Sequence, residues 1–181
     1  MEYTLIRSRR KTLSIEITPR GELLIRAPAR MSRRDIQYFL ESRRDWIAAH
    51  LAKLEPAPEP LSAADLQILS ARAKETIPLR AAAFAAQLGV TFGRITIRSQ
   101  KTRWGSCSVQ GNLNFNCLLM LAPEAVLDYV IVHELCHRKH MNHSAQFWEE
   151  VERILPDYTE PRRWLKQQGA NLLARLPDAQ K

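Results

Sequence analysis

No run of about 20 apolar residues occurs anywhere in the 181-residue sequence, which excludes a membrane-spanning helix. The opening residues, MEYTLIRSRRK, contain no apolar core of the kind a secretory signal needs, so export is not expected. Cysteine is scarce. Cys107, Cys117 and Cys136 make an odd number and form no CxxC pair, which disfavours a disulfide framework or a cysteine-rich metal site. Reduced thiols in a cytoplasmic protein are the expectation. There is no internal repeat and no glycine-rich phosphate loop.

Hydrophobic residues make up 45% and charged residues 25%, ordinary values for a globular chain that buries a core without disulfides. The length suits one domain, or one domain with a small appendage. Charge is unbalanced: the formal net charge is +8 and the isoelectric point about 9.8. Such a surface attracts nucleic acid, nucleotides or acidic substrates, or is simply a solvated basic face.

Residues 12–18 alternate, with Leu13, Ile15 and Ile17 on one face. After Pro19-Arg20-Gly21 the alternation resumes at Leu23, Ile25 and Ala27, which predicts a β-hairpin. Ser32 reads as a helix N-cap with Asp35 in the first turn. Ile36, Phe39, Leu40, Arg43, Ile47, Leu51 and Leu54 repeat at helical spacing, predicting one helix over 33–54. The proline-rich stretch 55–60 cannot be helical and marks the domain boundary, giving an N-terminal hairpin-and-helix region over 1–58 and a second region over 59–181. A helical segment from Ser62 to Gly89 should kink or split at Pro78. Residues 94–98 and 112–117 alternate as strands. Pro123 and Glu124 suit the start of a helix running to about His140, apolar nearly all round and therefore central. Ser144 can cap a further helix that stops before Pro156, and Pro161 can open a last one.

Four of the five histidines lie between positions 133 and 143. His133-Glu134-Leu135-Cys136-His137 is an HExxH sequence. On a helix, residues four apart share a face, so His133 and His137 can present nitrogens to one ion while Glu134 reaches a metal-activated water. An otherwise apolar helix carrying these groups needs something to satisfy them. A hydrolytic zinc site takes a third protein ligand and keeps one position open. His140 and His143 compete for that place. Were the helix to continue, His140 would lie about 10 Å along the axis from His133, whereas ligand atoms on one zinc are only about 3–3.5 Å apart. A turn must intervene, and Asn142, a good left-handed helix terminator, would swing His143 back. Candidates for substrate binding and for stabilising the oxyanion are Arg103, Gly105 and Tyr158. Trp104 belongs either to a cleft rim or to a core turn between strands.

The segments TRWGSCSVQGNLNFN (102–116) and VIVHELCHRKHMNHSAQFW (130–148) resemble the YgjP-type metallopeptidase domain, a zincin-like family related to the WLM and SprT groups. The resemblance covers most of the chain. It implies an α+β fold: a minimal zincin core with a small antiparallel sheet and a central HExxH helix, preceded by the hairpin and helix. It also implies zinc on His133, His137 and His143, with Glu134 as the catalytic glutamate; Tyr158 has no such support. The expected activity is a zinc-dependent metallopeptidase acting on a peptide or protein. The alternatives are a metal-dependent nucleoside triphosphate pyrophosphohydrolase, with Arg94, Arg98, Lys101 and Arg103 holding phosphates, and a DNA-associated protease or nucleic-acid-binding module using Arg7–Lys11 and Arg30–Arg34.

Overall fold

The computed structural model describes residues 2–18, 21–53 and 58–177. It divides into two compact units, Met1–Pro58 and Glu59–Lys181. Pro19, Arg20 and the first half of the proline-rich stretch, residues 55–57, lie outside the described residues, as does Leu54.

The first unit is a three-stranded sheet with two helices. Strand β2 (Ser14–Ile17) pairs antiparallel with β3 (Leu23–Pro28), the expected hairpin, while β1 (Thr4–Ser8) lies parallel on the other edge of β3. Strand β1 is exposed along most of its length, so its alternation carries no burial signal. The inward residues of β3, Leu23, Ile25 and Ala27, pack with Ile36, Leu40 and Ile47 of the helices. The predicted 33–54 helix is two helices, α1 (Arg33–Ser42) and α2 (Arg44–Leu51). The chain breaks at Arg43, whose φ of −113° leaves the helical region, and the Ser42 hydroxyl donates back to the Phe39 carbonyl. A hydroxyl that bonds the backbone in this way competes with helix continuation.

The second unit opens with α3 (Ala63–Leu88), started by a reciprocal Ser62–Asp65 capping box and ended by Gly89 at φ +67°. Pro78 does not split it. Proline removes one amide donor from the ladder, but Ile77 and Ala81, which flank it, are fully buried and hold the helix through the defect. The second sheet has the order β4-β6-β5, from β4 (Ile95–Arg98), β5 (Gly105–Cys107) and β6 (Leu113–Asn116). It is mixed rather than wholly antiparallel: β5 and β6 form a hairpin, but β4 runs parallel to β6. The crossover between β4 and β5 is fastened by the fully buried Asn116. Its side chain donates to the carbonyls of Gln100 (2.7 Å) and Arg103 (3.0 Å) and accepts from Leu118 N–H (3.1 Å).

A 3-10 turn (Cys117–Leu121) leads into α4 (Glu124–Cys136). This helix packs against α3, α5 (Ala145–Ile154), α6 (Thr159–Leu173) and β5, and its residues are buried on nearly every side. It ends at Cys136, earlier than the predicted His140. Tight bonds from Arg138 N–H to Leu135 and from Lys139 N–H to Cys136 close the end, while the Arg138 guanidinium is drawn away to the Thr91 and Val109 carbonyls. Asn142 is not left-handed, since no residue other than glycine has positive φ among the described residues. The reversal is made by the turn at 137–140 instead.

Candidate metal centre

Helix α4 presents His133 and, at its C-cap, His137; the chain then turns and delivers His143 just ahead of α5. Their ligand nitrogens lie within 4.8 Å of one another. The Nε2 atoms of His133 and His143 are 3.0 Å apart, which matches the spacing of about 3–3.5 Å between donors on one tetrahedral ion. His140 takes a different part. Its backbone carbonyl accepts from His137 Nδ1 at 3.0 Å, which fixes the tautomer and leaves His137 Nε2 free to ligate. Phe147 of α5 packs against all three rings at 4.7–4.9 Å and closes the apolar floor. His133 Nδ1 is buried without a hydrogen-bond partner. Three imidazole nitrogens facing one another on an apolar floor fit a divalent cation, which would engage them together.

The electrostatics of the chain favour the ligating forms. Burial, with the neighbouring His137, His143 and Arg162 adding to it, pushes His133 down to about 3. His137 is lowered too, mainly by burial, against the opposing bond to the His140 carbonyl. Both imidazoles are therefore neutral at pH 7. Glu134 is 6% exposed and its carboxyl is pushed up to about 8 by burial, with Arg103 pulling the other way. A raised carboxyl of this kind suits proton transfer near neutrality.

Gly105, the first residue of β5, sits directly on Glu134. A Cβ there would lie 2.6 Å from Oε1, 2.7 Å from Cγ and 2.9 Å from Cδ. Glycine at this position makes room for the catalytic candidate, a closer role than a general cleft rim. Trp104 packs into the core, with its indole nitrogen against Gly169 of α6. Tyr158 stacks between Trp148 (5.4 Å) and Tyr129 (6.4 Å), and Tyr129 in turn meets the His133 ring at 5.8 Å. Arg94 and Arg98 are not brought to the cluster, because Arg98 ends β4 and Arg94 immediately precedes it, at the opposite edge of the sheet from β5.

Over residues 11–68 and 63–168 the sequence matches the YgjP-like metallopeptidase domain. The chain belongs to the YgjP-like metallopeptidase family. A YgjP-like chain is a metallohydrolase, its family implies a catalytic metal, and a three-histidine group that could hold one is present. Two solved structures are similar: the metallopeptidase zymogens abylysin of Pyrococcus abyssi and jannalysin of Methanocaldococcus jannaschii. Both are 24% identical. Abylysin aligns over 52% of this chain and 96% of its own with a TM-score of 0.47, and jannalysin over 51% and 95% with a TM-score of 0.46. No curated protein matches. No described helix is long and apolar enough to cross a membrane.

The sequence pattern passes over several residues of this YgjP-like site. Tyr129 lies one turn before His133 on the same helix face, so the spacing that pairs the histidines also points to it. Trp148 and Arg162 carry no spacing signal, because separate helices bring them to the cluster.

Proposed function

We propose that the chain is a zinc-dependent metallopeptidase in which His133, His137 and His143 hold the ion and Glu134 is the general base. The observation that carries this reading is the convergence of three imidazole nitrogens beside the buried Glu134 carboxyl group. Zinc held by these residues would supply Lewis acidity for the scissile carbonyl and for a water. Glu134 would take a proton from the attacking water and pass it to the leaving amine. Gly105 keeps the Glu134 carboxyl in place by leaving it space. Among the described residues β5 pairs only with β6, so its free edge, beginning at Gly105, can take an extended peptide as an added strand beside the metal. Arg103 and Tyr158 are the side chains offered to the developing oxyanion. Residues 59–181 form the metallohydrolase domain in this reading, and 1–58 an N-terminal appendage.

A phosphoanhydride hydrolase is the second reading. It is favoured by the guanidinium groups of Arg103 and Arg162, whose charges act on Glu134 and His133. The far placement of Arg94 and Arg98 counts against it. For nucleic acid, Arg7 is already engaged, donating to the carbonyls of Pro28, Ala29 and Met31, so only the rest of the N-terminal arginines would be offered to phosphates. A panel of denatured protein, nucleoside triphosphates and DNA, assayed with zinc and with chelator, tests the reading. Chelator-sensitive cleavage of protein supports it; chelator-sensitive loss of triphosphate alone refutes it.

A further inference from the structure

Several basic side chains of the second unit are already engaged. Arg80 pairs with Glu124 and Asp128, Lys139 and Arg153 share Glu150, and Arg163 lies 3.9 Å from Glu160. Arg138 spends its guanidinium on backbone carbonyls. Arg162 differs. It is exposed on the first turns of α6, its guanidinium carbon lies 4.3 Å from the Trp148 ring centroid, and among the described residues no carboxylate pairs with it. Trp148 is itself stacked on the ring of His143 at 5.8 Å and lies 5.9 Å from that of His133. The guanidinium is thus one aromatic ring removed from the metal cluster.

A guanidinium lying over an aromatic face is held flat, and its N–H edge stays free in the plane of the group. That edge matches a carboxylate in bidentate fashion. Resting on the metallopeptidase reading, we propose that Arg162 is a specificity-determining residue that takes a carboxylate of the peptide substrate beside the scissile bond. Trp148 preorganises it. One planar fork suits a single carboxylate. A triphosphate needs several converging cations, and Arg94 and Arg98 lie at the opposite sheet edge. The carboxylate comes from an acidic side chain or from a free C-terminus, two sources with the same chemistry.

The test uses the zinc-loaded full chain and matched peptides carrying Glu, Gln or Lys on each side of the cleaved bond, each with a free or an amidated C-terminus. The wild type should prefer a carboxylate over its neutral counterpart by about ten-fold in kcat/KM, mainly through KM, as expected for one partly exposed charge-assisted contact. Preference for Glu regardless of the terminus identifies the side chain; preference only for the free terminus identifies the C-terminal carboxylate. R162Q should erase the preference, R162E should reverse it towards Lys, and R163Q, altered on the same helix, should keep it. Absence of any carboxylate preference in the wild type, or an equal loss on every peptide in R162Q, would overturn the proposal. If no peptide is cleaved, the metallopeptidase reading fails by itself. Peptide binding to zinc-loaded E134Q then decides the subsite: Arg162-dependent binding of the Glu over the Gln peptide supports it. Arg162-dependent binding of a nucleoside triphosphate, with no peptide preference, overturns it.

Discussion

Gly105→Ala is the smallest change expected to disable the site while leaving every proposed metal ligand in place. Its added methyl would lie 2.6–2.9 Å from three atoms of Glu134. Ordinary van der Waals contact begins near 3.5 Å, so the carboxylate must retreat by somewhat under 1 Å. Rotation of the carboxylate alone does not relieve the clash, because Cγ is met at 2.7 Å as well as the terminal oxygen. Glu134 is buried, so the retreat pushes into packed core. The backbone is not the difficulty: Gly105 is absent from the glycines with positive φ, so alanine adopts its conformation without strain. Overpacking of this kind typically costs about 1–3 kcal/mol of stability. A base displaced by about 1 Å typically costs about two orders of magnitude in rate. The assay is kcat/KM on a cleaved peptide together with zinc content. G105A should keep about one zinc per chain and lose about 100-fold in kcat/KM. Wild-type turnover in G105A would refute the contact between Gly105 and Glu134 as a determinant of the site.

Glu134→Gln should retain zinc and lose two to four orders of magnitude in kcat, typical for removal of a general base; full activity would exclude Glu134 from that role. His143→Ala should weaken zinc binding far more than His140→Ala in a metal titration, because only the His140 backbone, not its ring, supports the cluster; the opposite order would assign His140 as the ligand. Metal-free protein should show a characteristic pH dependence in thermal melts. Glu134 is pushed up from 4.5 to about 8 in the fold, so its stabilising contribution is full below pH 4.5 and is lost as pH rises to 8. His133 is pushed down from 6.5 to about 3, so its contribution is full above pH 6.5 and is lost as pH falls to 3. The two slopes cancel between pH 4.5 and 6.5. Metal-free wild type should lose stability on either side, and E134Q should lose the alkaline decline. An identical alkaline slope in both proteins would contradict the burial of an ionisable Glu134.

The legible parts of the molecule were those where one segment carries the whole signal. The hairpin of β2 and β3 alternates cleanly because β3 buries one face, and the HExxH spacing follows from helical geometry alone. What the pattern missed lies in local backbone bonding or in partners distant in sequence. The break at Arg43 leaves the apolar spacing of 33–54 intact, so it does not show in the spacing. The end of α4 is set partly by the reach of Arg138 to Thr91 and Val109, residues 47 and 29 positions away. Pairing of β4 with β6 rather than in sequence order rests on Asn116 tying down the crossover. Pro78 shows the opposite case: a strong local breaker that does not split α3, where Ile77 and Ala81 are fully buried. At the site, Gly105 reads locally as turn chemistry, and only the approach of β5 to α4 shows that it clears space for Glu134.

The most direct measurement is the metal content of the purified chain, by elemental analysis before and after chelation, with reconstitution by zinc. About one zinc per chain, removed by chelator and restored with activity, is the expected result. A chain that holds no metal and takes up none on addition of zinc would contradict the three-histidine centre and everything derived from it.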